Sequence, residues 1–233
     1  MPTRPAIVYA QPMPAEPVTI PLPNGSTVSG LWQAPGGATA ALVLAHGAGA
    51  GMTHKAMAAT ADGLEALGVA TLRYNFPYME KGGSRVDPPP VAHATVRAAV
   101  AEGGRLAAGL PLFAGGRSFG GRMTSQAQAL DPLPGVRGLV FFAFPLHPAG
   151  KPSLDRAAHL AKVEIPMLFL QGTRDSLASL DQIESLCKKL GKHATLKLSK
   201  DADHSFHVPA RTGRADSEFL ERCLMHSLPG STT

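Results

Sequence analysis

Ser118 stands in the run Gly115-Gly116-Arg117-Ser118-Phe119-Gly120-Gly121, directly after the apolar stretch Pro111-Leu112-Phe113-Ala114 and before a helix-compatible segment. A serine spaced one residue from a glycine on each side, between a strand and a helix, is the pattern of a nucleophile held on a sharp turn. The glycines let the two backbones approach without a Cβ clash, and the start of the helix offers amide groups and a positive dipole end to a developing oxyanion. The chemistry that suits such a serine is acyl transfer. Read alone, the pentapeptide is also compatible with a serine in an ordinary glycine-rich turn; its flanking strand and helix favour the catalytic reading.

A serine hydroxyl needs a base to take its proton, and the base needs a third group to orient it. Six histidines follow Ser118: His147, His159, His193, His204, His207 and His226. His204 lies in the polar turn Lys200-Asp201-Ala202-Asp203-His204-Ser205-Phe206, just after the last apolar strand run, and is chosen over its chief rival His207. Asp175 ends Gln171-Gly172-Thr173-Arg174-Asp175, past an apolar run, and supplies the carboxylate. An aspartate there could instead cap the following helix. Asp155 precedes the apolar run, and Asp203 adjoins the histidine too closely to reach its far nitrogen.

An oxyanion also needs a second backbone donor. His46-Gly47-Ala48-Gly49-Ala50-Gly51 follows Leu42-Val43-Leu44-Ala45, and its small residues allow close approach to a substrate. The N–H of Ala48 is the expected donor, with Gly49 as second choice, beside the N–H of Phe119. His46, Gly47, Gly49, Tyr78 and Arg117 are expected to contact substrate, although an internal ion pair is the plainer use for an arginine beside the turn. The glycine-rich segment lacks the Lys-Ser/Thr of a phosphate loop and meets a dinucleotide pattern only loosely, so no organic cofactor is expected. Two cysteines, Cys187 and Cys223, make neither a disulfide framework nor a zinc site, and no metal is expected.

These residues require a scaffold. Short, largely apolar runs at 40–45, 69–73, 112–114, 136–142, 167–171 and 194–198 alternate with helix-length segments at 54–67, 91–107, 119–130, 179–190 and 212–226. That alternation describes a mostly parallel sheet covered on both faces. Runs at 18–22 and 27–32, separated by Pro23-Asn24-Gly25, read as an opening antiparallel hairpin. A proline-rich arm is expected over 1–16 and one α/β domain over 17–229, a size that buries a full core without splitting. The connections 74–90 and 143–166 are long enough to serve a site but too short for a large helical cap, so the site should be fairly open.

A formal charge of +5 could suggest nucleic acid, but the 22 basic residues are scattered rather than clustered, and no nucleic-acid partner is expected. The N-terminal run MPTRPAIVYAQPMPAEP lacks the apolar segment of a secretory signal, and no stretch has the length of a membrane span. The expected protein is cytoplasmic, with no membrane partner, and a monomer or homodimer.

In combination, H-G-A-G after the first central strand, N-F-P-Y-M-E-K-G-G-S-R-V-D-P-P-P, G-G-R-S-F-G-G-R, Q-G-T-R-D and D-A-D-H-S-F resemble a small, lidless branch of the α/β-hydrolases. That branch is related to dienelactone hydrolases and includes the testis-expressed protein 30 family of predicted hydrolases. The resemblance runs from about residue 25 to the C-terminal helix and implies Ser118, Asp175 and His204 as a triad. Dienelactone hydrolases proper carry cysteine at the elbow where this chain has Ser118, so their lactone cleavage does not carry over. The expectation is a serine hydrolase that cleaves short-chain or small acyl esters; a small-molecule ester is its partner. A non-catalytic scaffold on the same fold is the alternative, and thioester or peptide cleavage ranks lower.

Overall fold

The apolar runs form the middle of one sheet in the computed structural model of the chain, which describes residues 13–210. The strands are β1 (Glu16–Pro21), β2 (Thr27–Gln33), β3 (Ala40–Ala45), β4 (Val69–Tyr74), β5 (Leu112–Arg117), β6 (Val136–Phe142), β7 (Met167–Gly172) and β8 (Ala194–Ser199). They pair in the order β1-β2-β4-β3-β5-β6-β7-β8. The β1–β2 and β2–β4 pairs are antiparallel, and all others are parallel. The hairpin turns at Gly25, whose φ of +82° suits glycine. There Asn24 Oδ1 accepts from the Ser26 amide at 3.1 Å, the asparagine turn its sequence implies.

Every residue of β3, β4 and β7 is buried, as a strand covered on both faces requires. Alternate side chains feed two apolar clusters. Ala41, Val43, Phe141 and Phe169 face one that includes Val96, Met123 and Ile183, from helices α3 (Pro89–Leu106), α4 (Phe119–Leu130) and α5 (Leu180–Leu190). Leu42, Leu44, Val140 and Leu170 face the other, with Met57 and Leu64 of α1 (Lys55–Glu65) and with Phe206. Cys187 is buried within α5.

Three details depart from the expected boundaries. β5 continues through Gly115 and Gly116 to Arg117, because those residues still pair with Val140, Phe141 and Phe142 of β6; the turn is thereby reduced to Ser118 alone. The 74–90 connection contains the short helix α2 (Pro77–Glu80), and α3 starts at Pro89 rather than at 91. Proline is at home in a first helical turn, where its missing N–H would have had no partner. The 143–166 connection contains a 3-10 segment, Asp155–Lys162, that buries Ala157 and Leu160. The last expected helix, at 212–226, with Cys223 and His226, lies outside the described residues, as does most of the proline-rich arm. At the arm's inner end, the Met13 amide donates to Glu65 at 3.0 Å.

Candidate active site

The sheet delivers Ser118 at the C-terminal end of a central strand. Its backbone takes φ +48° and ψ −112°, a conformation that costs an L-residue about 1–3 kcal/mol and survives only where its surroundings enforce it. Here they do. The Ser118 amide donates to Phe142 O at 2.9 Å, and Ser118 O accepts from the Arg122 amide at 3.1 Å. A Cβ on Gly116 would sit 2.5 Å from Ala45 O, and one on Gly120 would sit 2.5 Å from His46 O. These two positions exclude any side chain, so the glycines of the motif are required by the closeness of β3 to both β5 and α4.

Asp175 and His204 reach Ser118 from beyond the ends of β7 and β8. His204 Nε2 lies 2.9 Å from Ser118 Oγ, and His204 Nδ1 lies 2.7 Å from Asp175 Oδ2. Because Nδ1 faces a carboxylate it donates, which leaves Nε2 as the acceptor for the serine proton. The Asp175 side chain is fully buried, whereas that of His204 is 24% exposed. Two further donors hold the carboxylate: Gln171 Nε2 at 2.6 Å on Oδ2, and the Leu177 amide at 2.8 Å on Oδ1. Gln171 is itself fixed, since its Oε1 accepts from the Phe144 amide at 2.9 Å. Gln171 was not singled out from sequence; a glutamine ending an otherwise apolar strand was the available sign of it.

The rivals have other uses. Asp203 Oδ1 accepts from the Ser205 and His207 amides at 2.7 and 3.0 Å and so shapes the turn that presents His204. His207 itself is exposed on that turn, and Asp155 is exposed at the start of the 3-10 segment.

Opposite the elbow, the 46–51 loop runs close by: a Cβ on Gly47 would lie 3.9 Å from Ser118 Cβ. Ala48 and Gly49 are exposed, and Phe119, as the first residue of α4, has an N–H with no acceptor inside the helix. His46 was expected to touch substrate, but it is fully buried. Its Nδ1 donates to Gly47 O at 2.7 Å, and its Nε2 accepts from the Phe76 amide at 3.1 Å. Burial also pushes its pKa down, which keeps the ring in the neutral form that this pair of bonds needs. Tyr78, likewise expected at the substrate, is buried and donates from its hydroxyl to Ala48 O at 2.9 Å, with Gly47 O at 3.3 Å. Burial and the nearby Asp87 charge push that hydroxyl up to about 12, so it remains a donor. With the Gly47 carbonyl held by both rings, the trans peptide turns the Ala48 N–H to the opposite side. His46 and Tyr78 thus hold the 46–51 loop from its buried side.

Arg117 was also expected at the substrate, and the structure turns it inward. Its Nη2 donates to His204 O at 3.4 Å, and its guanidinium lies 5.5 Å from the centre of the Phe206 ring. Burial lowers its pKa while the charges of Asp203 and Asp175 raise it; its contacts with His204 O and Phe206 hold the histidine turn. Among the described residues, no group of three or more His, Cys, Asp or Glu side chains is arranged to hold a metal ion. Among the same residues, no helix is long and apolar enough to cross a membrane.

Comparison with known proteins agrees with this architecture. An alpha-beta serine hydrolase homologue from Coxiella burnetii superposes with a TM-score of 0.72 at 21% identity, over 91% of this chain and 99% of that one. A serine hydrolase without a lid from Xanthomonas campestris gives 0.69 at 20%, over 95% and 99%. A dienelactone hydrolase from Anabaena variabilis gives 0.72 at 21%, over 94% and 100%. At these identities the likeness is one of fold: a mostly parallel eight-stranded sheet with an N-terminal antiparallel pair and no large cap. The model of the alpha/beta hydrolase domain family matches residues 38–228, and the chain belongs to that family.

Proposed function

We propose that the protein is a serine hydrolase that cleaves small carboxylic esters through an acyl-enzyme. The reading rests on one observation, the relay in which Ser118 Oγ lies 2.9 Å from His204 Nε2 and His204 Nδ1 lies 2.7 Å from Asp175. Ser118 Oγ attacks the ester carbonyl as its proton passes to Nε2, and the Asp175 carboxylate stabilises the imidazolium that results. The N–H groups of Ala48 and Phe119 receive the oxyanion. Nε2 then returns the proton to the departing alkoxide, and a water activated by the same nitrogen releases the acid and restores Ser118. In every proton transfer His204 Nε2 is either the acceptor or the donor, and after two protons gained and two given up it is again neutral, so the cycle closes.

Small acyl groups fit best, because the exposed Ala48 and Gly49 and the short connections provide little apolar wall for a long chain. Several proteins of similar fold bear hydrolase names, the dienelactone hydrolase from Anabaena variabilis among them, which is consistent with ester chemistry. Labelling with a fluorophosphonate, followed by peptide mapping, tests the proposal. The expected adduct is on Ser118 and is lost in His204→Gln; absence of any adduct on native protein would favour a non-catalytic scaffold.

A further inference from the structure

Among the described residues, the cation Arg122 beside the elbow has no ion-pair partner. Arg122 lies one turn into α4, and its backbone N–H bonds to Ser118 O at 3.1 Å. Helical side chains lean toward the N-terminus of their helix, and the Arg122 guanidinium carbon lies 5.8 Å from the centre of the Phe119 ring. The charge is thus carried back toward the turn that holds the nucleophile. Its Nε is buried and has no hydrogen-bond partner among the described residues.

The ion pairs of the described residues leave Arg122 out: they join Arg97 to Asp131, Arg105 to Glu102 and His204 to Asp175. Burial disfavours the charge of Arg122, and the charge of a second cation, Arg156, disfavours it further. The nearby histidines are already engaged, His159 with Ser125 Oγ at 2.7 Å and His93 with Gln126 Oε1 at 3.1 Å. Arg117, by contrast, lies within the fields of Asp203 and Asp175 and bonds to the His204 carbonyl. A partly buried guanidinium whose Nε has no acceptor, in the field of a second arginine, is stabilised when an anion joins it. Carboxylates suit this role because two parallel N–H groups of arginine match their two oxygens.

We propose that Arg122, backed by Arg156, forms an anion subsite beside Ser118 that binds a carboxylate carried by the ester substrate. The inference rests on the ester-hydrolase reading above and narrows it to esters of dicarboxylic or similarly acidic molecules.

The test compares kcat/KM for p-nitrophenyl hydrogen glutarate with that for p-nitrophenyl hexanoate, a neutral ester of similar size. Native protein should favour the anionic ester, and Arg122→Gln should lower the anionic-to-neutral ratio by at least about tenfold, the loss expected for one charge-assisted contact. Arg97→Gln, whose charge is already paired, should leave the ratio in place and so excludes a general field effect. Should Arg122→Gln fail to fold, Arg156→Gln reads the same ratio, with a drop of about threefold expected for the more distant charge. A native preference for the neutral ester, or a ratio unchanged by these substitutions, overturns the subsite. If the native protein hydrolyses neither ester, the hydrolase reading fails, and glutarate is then tested directly as a ligand by thermal shift. A rise in melting temperature in native protein that Arg122→Gln abolishes supports the subsite; no rise refutes it.

Discussion

Asp175→Asn preserves the size and planarity of the side chain that faces His204 and changes what it can accept. The native carboxylate receives three donors, from His204 and Gln171 on Oδ2 and from Leu177 on Oδ1. Gln171 cannot turn its oxygen toward position 175 without giving up the Phe144 amide. An asparagine must therefore direct its NH2 group at a donor whichever way it is placed. With its oxygen toward His204, it faces the Leu177 amide with NH2. Reversed, it drives His204 into the tautomer that carries its proton on Nε2, where the Ser118 proton must go. Both placements remove a negative charge from a fully buried site, so the imidazolium formed during attack loses its counter-ion. Loss of a charge-assisted bond together with a partly wrong tautomer should raise the barrier by about 3–5 kcal/mol, which is roughly 10²- to 10⁴-fold in kcat. KM should change little, since Asp175 does not reach the cleft. Steady-state hydrolysis of p-nitrophenyl acetate, with a thermal melt to verify folding, measures both. A folded Asp175→Asn protein with kcat within about threefold of native would refute the argument that this carboxylate sets the histidine's state.

Two further outcomes follow from the same contacts. Tyr78→Phe keeps the ring packing but removes the hydroxyl that holds the Ala48 carbonyl; kcat should fall about tenfold with KM within about twofold, as expected for a misaimed oxyanion donor. Equal loss in both constants, or none, would return Tyr78 to a packing role. Burial, with the charges of Arg122 and His93, holds His159 down at about 4. The unfolded chain therefore binds this proton at a higher pH than the folded protein does, and stability rises with pH between about 4 and 6.5. After screening by the solvent that reaches the ring, His159 should contribute about 1–2 kcal/mol to that slope. His46, lowered by burial as well, adds in the same direction. Urea unfolding across that range should show a shallower slope for His159→Asn than for native; identical slopes would contradict it.

The groups that meet at Ser118 were legible because each sits just past a strand end, and strand ends can be read from apolar runs that terminate in glycine or polar turns. Gly116 and Gly120 could be read for the same reason, since a strand and a helix joined through one residue leave no room for a Cβ. Roles that depend on contacts between distant segments were not legible. His46, Tyr78 and Arg117 are polar or aromatic residues near Ser118, and their chemistry suits a substrate contact as well as a loop tie. Only the three-dimensional path of the 46–51 loop against Tyr78, and of the His204 turn against Arg117, assigns them inward. Gln171 was hidden by its apolar strand neighbours, which make it look like the end of a core segment. Helix α2 spans four residues, too few for a periodic pattern. The 3-10 segment Asp155–Lys162 buries only Ala157 and Leu160, a three-residue spacing easily lost in a long connection.

Hydrolysis of p-nitrophenyl acetate by the native protein and by Ser118→Ala, purified in parallel and shown to melt alike, tests the central claim most directly. The account predicts clear turnover by the native protein and loss of at least about a thousandfold in kcat in the variant, leaving only what the oxyanion donors supply. Turnover that persists in Ser118→Ala would show that the nucleophile lies elsewhere, and no turnover by either protein would contradict the assignment of Ser118 as an activated serine.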